Sequence, residues 1–375
     1  MEENDNNEVP LHIQKLTYWA FCSEEEIERI FNVSNAQDYL LKLRADTIAD
    51  HMRLYRVYRN RALRNSNNWS LAQSFSQKIF QQYLSLLDPK SKEICQKVPA
   101  GFLFSNDPNG ACMKTPYGNI IFISNALEYF LFYMNIAHMN LGFEIPAHVR
   151  LASQRIAIRT MLKTETLDFD MDPRGIIPNG LAQKSNSLVK QQILFVVGHE
   201  YAHHIHGHLE KNITVTQPLF ARLHNETEEE HAERVYSVSE QQEFEADTSS
   251  LLFIKKKANP QKWGEIVYAT LLWFVYLEIF QQVSEQMFPV SPWKIRTHPE
   301  PIERLHRIYS RFGARAGVTE EILEGMLEKI VFWKNFFQED VAVNMEMYEM
   351  YGSIYLDKPN TKWRGAELRD RVDYY

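Results

Sequence analysis

The chain has 375 residues, of which 45% are hydrophobic, so its apolar content suffices for one large domain or two ordinary ones. Its formal net charge of −7 argues against nucleic acid as the main partner. The three cysteines, Cys22, Cys95 and Cys112, are odd in number and match no metal-ligand spacing. A disulfide framework is therefore not expected, and a reducing cytoplasm fits best.

The first hundred residues are predicted to be helical. Residues 1–10 form a polar, acidic tail that lacks the features of a secretory signal, and we expect it to be disordered. One long helix is predicted over the stretch LLKLRADTIADHMRLYRVYRNRAL, and another over residues 70–87. We interpret residues 11–98 as a helical N-terminal region.

Short β-rich segments follow this region. GFLFSN at 101–106 and GNIIFIS at 118–124 flank the turn-forming residues at 107–110, which predicts a small hairpin or a sheet edge. The rest of the chain is predicted to form helices at about 125–141, 187–207, 238–256, 261–285, 299–312 and 318–350. We therefore expect a mainly α (α+β) fold in which residues 99–375 form one domain.

One apolar segment requires a test for membrane insertion. Residues 266–280 read IVYATLLWFVYLEIF, which is shorter than the roughly 20 apolar residues that a spanning helix needs. Charged and polar residues flank the segment on both sides. We interpret it as a buried core helix, with a membrane-contacting helix as the alternative, and we expect no membrane partner.

The strongest functional signal is an HExxH motif at His199-Glu200-Tyr201-Ala202-His203. Residues four apart lie on one face of a helix, so both imidazoles can reach one zinc ion at ~2.0–2.1 Å. Glu200 would lie beside the metal, where it can deprotonate a water molecule. The alternative is an ordinary polar helix face, but the apolar segment ILFVVG before the motif favours a buried helix.

A third ligand is expected from another helix, because a catalytic zinc takes three protein ligands and keeps one position open. Glu243 and Asp247 are four residues apart and share a helix face. We predict that Glu243 binds the metal and that Asp247 accepts the second N–H of His199. Glu245 is predicted to face solvent. The alternative for this segment is an acidic helix start without a metal.

Polar residues outside these two segments carry weaker signals. His298 and Arg304 could stabilise an oxyanion during peptide hydrolysis, although a helix start near Pro299 explains the same pattern. Leu209 occupies the position where a metzincin would have its third histidine ligand. Three further histidines are interpreted as surface residues or partners of the ligands rather than ligands themselves: His204, His206 and His208.

Together these motifs resemble a known arrangement. An HExxH motif followed by a distant ExxxD is typical of gluzincins, and with a THP segment it resembles HtpX and the CAAX prenyl proteases. The chain is most similar to the Lit-like phage-exclusion metalloproteases, over residues 115–310. The segments that carry this resemblance are IIFISNALEYFLFYMNIAHM, HEYAHHIHGH, SEQQEFEADTSSLLFI and THPEPIERLHRIYS.

The resemblance implies a zincin-like core in a soluble bacterial metalloprotease that cuts an intracellular protein. In that family the implied target is elongation factor Tu, and the implied activator is a phage-derived peptide. The resemblance does not cover residues 1–100. It assigns His199, His203 and Glu243 as zinc ligands, Glu200 as the catalytic glutamate, and Asp247, His298 and Arg304 as supporting residues.

We therefore predict a cytoplasmic zinc endopeptidase with a protein substrate and an activating peptide or protein partner. The alternative is a regulatory or interaction protein that zinc merely stabilises. Glu200 distinguishes the two, because a structural zinc site does not need a carboxylate beside its first histidine and normally has four protein ligands.

Overall fold

The protein is described by a computed structural model. The structure describes residues 11–65, 68–104, 109–171, 173–211, 214–216, 234–236, 240–287, 299–345 and 348. The predicted tail at 1–10, the first half of the predicted turn at 107–110, and His298 lie outside these ranges. Within them the protein is mainly helical with a small three-stranded sheet, as the sequence predicted.

The N-terminal helices are shorter than the sequence suggested. The single helix predicted over residues 40–63 is wrong, because the imidazole of His51 accepts the backbone N–H of Leu54 at 3.3 Å and begins a new helix there. The helix predicted over 70–87 is likewise broken at Phe75, whose backbone is extended. The helices are Leu11–Tyr18 (α1), Glu24–Phe31 (α2), Ala36–Ala49 (α3), Met52–Arg64 (α4), Leu71–Ser74 (α5), Lys78–Leu86 (α6) and Pro89–Cys95 (α7).

The sheet differs from the predicted hairpin. Its strands are Ala100–Leu103 (β1), Gly110–Thr115 (β2) and Gly118–Ser124 (β3), in the order β1-β3-β2. The two predicted strands, β1 and β3, pair in parallel, so they cannot be joined by a tight turn. The hairpin is formed instead by β2 and β3, and the intervening chain supplies the strand that the sequence analysis missed. A second pair, Thr214–Thr216 (β4) and Arg234–Tyr236 (β5), is antiparallel.

The remaining helices form the core around the sheet. They are Asn125–His138 (α8), Ala147–Leu162 (α9), Asn179–Ile205 (α10), His208–Lys211 (α11), Glu240–Lys257 (α12), Pro260–Met287 (α13), Pro301–Ile308 (α14) and Glu320–Asn344 (α15). A π-helical turn at Tyr309–Gly313 and a 3-10 turn at Ala314–Ala316 follow α14. The sequence did not predict α9, and α10 begins eight residues earlier than expected.

The apolar segment at 266–280 lies within α13. By length and composition, α13 could cross a membrane, and no other helix in the described ranges meets that test. However, 72% of its most apolar 18-residue window is buried inside the protein. Tyr276, in the middle of this helix, is fully buried, and its hydroxyl donates to Asn135 on α8 at 3.1 Å. These contacts favour the interpretation as a core helix.

The N-terminal helices share a core with the rest of the protein. One large cluster of buried apolar side chains includes residues from both sides of position 98. Tyr83 on α6 stacks on Tyr201 on α10, with ring centroids 5.7 Å apart and planes 3° from parallel. The N-terminal region therefore packs directly against the helix that carries the HExxH motif.

Candidate metal centre

The central feature of the site is a group of three buried side chains from two packed helices. His199 and His203 lie on one face of α10, and Glu243 projects towards them from the first turn of α12. The two Nε2 atoms are 2.9 Å apart. Each Nε2 lies 3.4 Å from one carboxylate oxygen of Glu243. These three residues form a group that could hold a metal ion.

The spacing of these atoms fits a small metal ion. Ligand atoms bound tetrahedrally at ~2.0–2.1 Å lie about 3.3 Å from one another. The observed separations of 2.9–3.4 Å match that value with only small adjustments. Both histidines also use their other ring nitrogen, Nδ1, for a separate hydrogen bond, which leaves Nε2 to face the centre of the group.

Asp247 supports His199, as the sequence predicted. Its Oδ1 lies 2.9 Å from Nδ1 of His199. Burial acts to lower the pKa of His199, but the carboxylates of Glu243 and Asp247 outweigh it and raise the pKa to about 10. A proton and a metal ion would therefore compete for Nε2 of His199.

Arg304 lies on the far side of Asp247. Its Nε donates to Oδ2 of Asp247 at 2.8 Å, and its Nη2 donates to Oδ1 at 2.6 Å. Nη1 lies 3.5 Å from Oε2 of Glu243. Burial acts to lower the pKa of Arg304, but Asp247 and Glu243 outweigh it, so the pKa lies above its usual value. In this structure the guanidinium thus contacts two carboxylates of the site. His298, the other expected oxyanion residue, lies outside the described ranges.

The side chain of Glu200 extends from α10 towards strand β2. This side chain is buried, and a Cβ at Gly110 on β2 would be only 2.9 Å from its Oε1. The thiol of Cys112 on the same strand has a pKa well above its usual value, because it is buried and because Glu200 is close. The sequence did not predict β2 and so gave no indication of what faces Glu200.

His208 and Glu245 join the site in a way that the sequence did not specify. His208 is buried, and its Nδ1 lies 2.9 Å from Nδ1 of His203. The prediction that His208 is a surface residue or a ligand partner is thus resolved in favour of a partner. Glu245 was predicted to face solvent; its side chain is 49% exposed, but it also contacts Nε2 of His208 at 3.2 Å.

Close packing between α10 and α12 brings these groups together. The hydroxyl of Ser250 on α12 donates to the carbonyl of Phe195 on α10 at 2.8 Å. A Cβ at Gly198 would lie 2.3 Å from that hydroxyl oxygen and 2.4 Å from the ring of Tyr83. Glycine at this position therefore permits the close approach that brings Glu243 within reach of the two histidines.

Comparison with known proteins adds no relative. The chain matches no protein-family model, no curated protein and no solved structure. The resemblance to the Lit-like metalloproteases therefore stays an expectation based on motifs, and function has to be argued from the site itself.

Proposed function

We propose that the protein is a zinc-dependent endopeptidase that cleaves an intracellular protein. The observation that supports this most strongly is the buried group of His199, His203 and Glu243, with Glu200 next to the first histidine. Two imidazoles and a carboxylate form a ligand set that suits zinc. Among the described residues this group has three members, the number typical of catalytic rather than structural zinc sites.

The chemistry follows from the residues around this group. When bound, zinc supplies Lewis-acid chemistry that activates water and polarises a carbonyl group. Glu200 accepts the proton of the attacking water and later delivers it to the leaving amine. Asp247 holds the proton on Nδ1 of His199, which keeps Nε2 available as a ligand. Arg304 fixes Asp247 through two hydrogen bonds, so we assign it a positioning role rather than oxyanion stabilisation.

The substrate class and biological setting rest on the motif resemblance. It supports cleavage of a bacterial protein during a response to phage infection, in the cytoplasm and after activation by a peptide or protein partner. Elongation factor Tu is accordingly the first substrate to test. A regulatory protein that zinc stabilises, without peptidase activity, is the competing function.

The decisive experiment combines metal content with cleavage of lysate proteins. Wild type and Glu200→Gln are incubated with bacterial lysate, with and without phage infection, and new protein N-termini are identified by mass spectrometry. Glu200→Gln preserves the size of the side chain but removes its basicity, so we expect full zinc content and a loss of cleavage of about 10²–10⁴-fold. His203→Gln should lose the metal, whereas His204→Gln, one residue further along α10 and outside the ligand group, should retain it.

The possible results separate the two functions. A defined fragment pair that appears with wild type and disappears with Glu200→Gln supports the peptidase and names its substrate. Equal cleavage by both proteins refutes the role of Glu200. Stoichiometric zinc in wild type, with no new N-termini in either lysate, favours the zinc-stabilised regulatory protein.

A further inference from the structure

The two histidines of the metal group are supported in different ways. Nδ1 of His199 faces a buried carboxylate, that of Asp247, directly. Nδ1 of His203 faces a second imidazole instead, that of His208, at 2.9 Å. Nε2 of His208 then faces Oε2 of Glu245 at 3.2 Å. A chain of side chains thus runs from the protein surface at Glu245 to the metal-facing nitrogen of His203.

The direction of each hydrogen bond in this chain follows from its outer end. A carboxylate oxygen accepts hydrogen bonds, so Nε2 of His208 donates to Oε2 of Glu245. A neutral imidazole with its proton on Nε2 has a lone pair on Nδ1, which accepts the N–H at Nδ1 of His203. His203 then has its remaining lone pair on Nε2, the atom that lies 3.4 Å from Glu243 within the metal group.

We propose that His208 and Glu245 are positioning residues that hold His203 in the tautomer and ring orientation required to bind the metal. The reversed arrangement would put a proton on Nε2 of His203 and block the ligand position. This inference rests on the metal site of the proposed function, but it does not depend on peptide hydrolysis. It assigns to His208 and Glu245 the task that Asp247 and Arg304 perform for His199.

The backbone between the two histidines is shaped for this contact. Helix α10 ends at Ile205, and Gly207 has a φ of 65°, in the left-handed region that favours glycine. This turn redirects the chain after α10 and allows the imidazole of His208 to contact that of His203. A Cβ at Gly207 would meet nothing within 4 Å, so glycine is needed here for its backbone conformation and not for space.

The test measures zinc affinity by competition with a chelator, together with the visible spectrum of the Co²⁺-substituted protein. His208→Leu removes the acceptor for His203, and we expect zinc affinity to fall by about 10–100-fold with a changed cobalt spectrum. His208→Asn places an amide oxygen close to the position of Nδ1 and should restore much of the loss. Glu245→Gln keeps an acceptor but removes the charge, so its loss should be smaller than that of His208→Leu.

Two further variants separate positioning from general packing. His204→Gln removes a neighbouring imidazole that contacts Asn119 and leaves the chain from Glu245 to His203 in place, so its zinc affinity should equal that of wild type. Gly207→Asn is tolerated in the left-handed region, whereas Gly207→Val is not. Because neither side chain meets a neighbour at Cβ, weaker zinc binding by Gly207→Val alone would report displacement of His208.

The outcomes decide the proposal even if one variant folds poorly. If wild type and His208→Leu bind zinc equally tightly, the proposed positioning role of His208 and Glu245 is wrong, while the metal site is supported. If His208→Asn binds zinc no better than His208→Leu and Glu245→Gln has no effect, His208 acts only by packing, and the positioning role is again wrong. If wild type binds no metal, both the metal site and the positioning role are wrong. If His208→Leu does not fold, the surface variant Glu245→Gln and the two Gly207 variants decide the question.

Discussion

Replacing Arg304 with methionine tests the electrostatic framework of the metal centre. Arg304 is buried, with an exposed fraction of 8%, and its guanidinium donates two hydrogen bonds to Asp247 while lying 3.5 Å from Glu243. Methionine retains much of the apolar stem and removes the charge. In the variant, two buried carboxylates lose the cation that they share.

Two independent estimates give the expected loss in the free energy of unfolding. Each charge-assisted hydrogen bond to Asp247 contributes about 1.5–3 kcal/mol, so two of them contribute about 3–6 kcal/mol. Removing one partner of a buried ion pair costs about 3–5 kcal/mol, because the remaining charge is left uncompensated. We therefore expect Arg304→Met to lower the free energy of unfolding by about 4 kcal/mol.

The assay is urea unfolding with a chelator present, so that metal binding does not contribute to stability. Arg304→Met, Asp247→Asn and the double variant form a cycle, in which we expect a coupling energy of about 3 kcal/mol. Additive effects, within about 0.5 kcal/mol, would refute the assignment of Arg304 to Asp247. Lys97→Met is the control: its ion pair with Glu93 is exposed on both sides, and its loss should cost less than about 1 kcal/mol.

Two further predictions concern packing and pH. Gly198→Ala should lower the free energy of unfolding in urea by about 1–3 kcal/mol and weaken zinc binding, because the added Cβ collides with Ser250 between α10 and α12. Gly325→Ala is the control: nothing lies within 4 Å of its Cβ, so this variant should stabilise α15 by about 0.5–1 kcal/mol. Equal effects at the two glycines would contradict this account. Burial raises the pKa of Glu128 from 4.5 to about 7, although a hydrogen bond from Asn125 acts to lower it. Between these two pH values the folded protein binds more protons than the unfolded chain, so its stability falls as the pH rises. Glu128→Gln should therefore be more stable than wild type by about 2–3 kcal/mol at pH 8 and nearly equal at pH 4.5; a gain independent of pH would refute the assignment.

The sequence predicted the metal group well because that group depends on local periodicity. A spacing of four residues places His199 and His203 on one helix face, and the same spacing relates Glu243 to Asp247. Neither inference needs knowledge of how the helices pack. The structure adds the 3.4 Å approach of Glu243 to both histidines, which no spacing within one segment could specify.

The features that the sequence did not predict depend on long-range contacts or on single backbone torsions. Arg304 contacts Asp247 across 57 residues, through the packing of α14 on α12. The position of His208 depends on the left-handed backbone at Gly207, for which the glycine itself was the available signal. The parallel pairing of β1 with β3 skips an intervening strand in the sequence, whereas adjacency in sequence favoured a hairpin of β1 with β3; the structure forms its hairpin from β2 and β3.

The location of Glu243 in the first turn of α12 has an energetic consequence. The first four N–H groups of a helix lack partners within the helix, and its ends open more readily than its middle. Glu243 is therefore a ligand whose position depends on whether the first turn of α12 is formed, just as His203 depends on the last turn of α10. A bound ion would hold that turn closed, so metal loading should slow the exchange of the amides that donate to carbonyl groups of the first turn of α12. The affinity of the site for its metal thus includes the free energy of completing a helix.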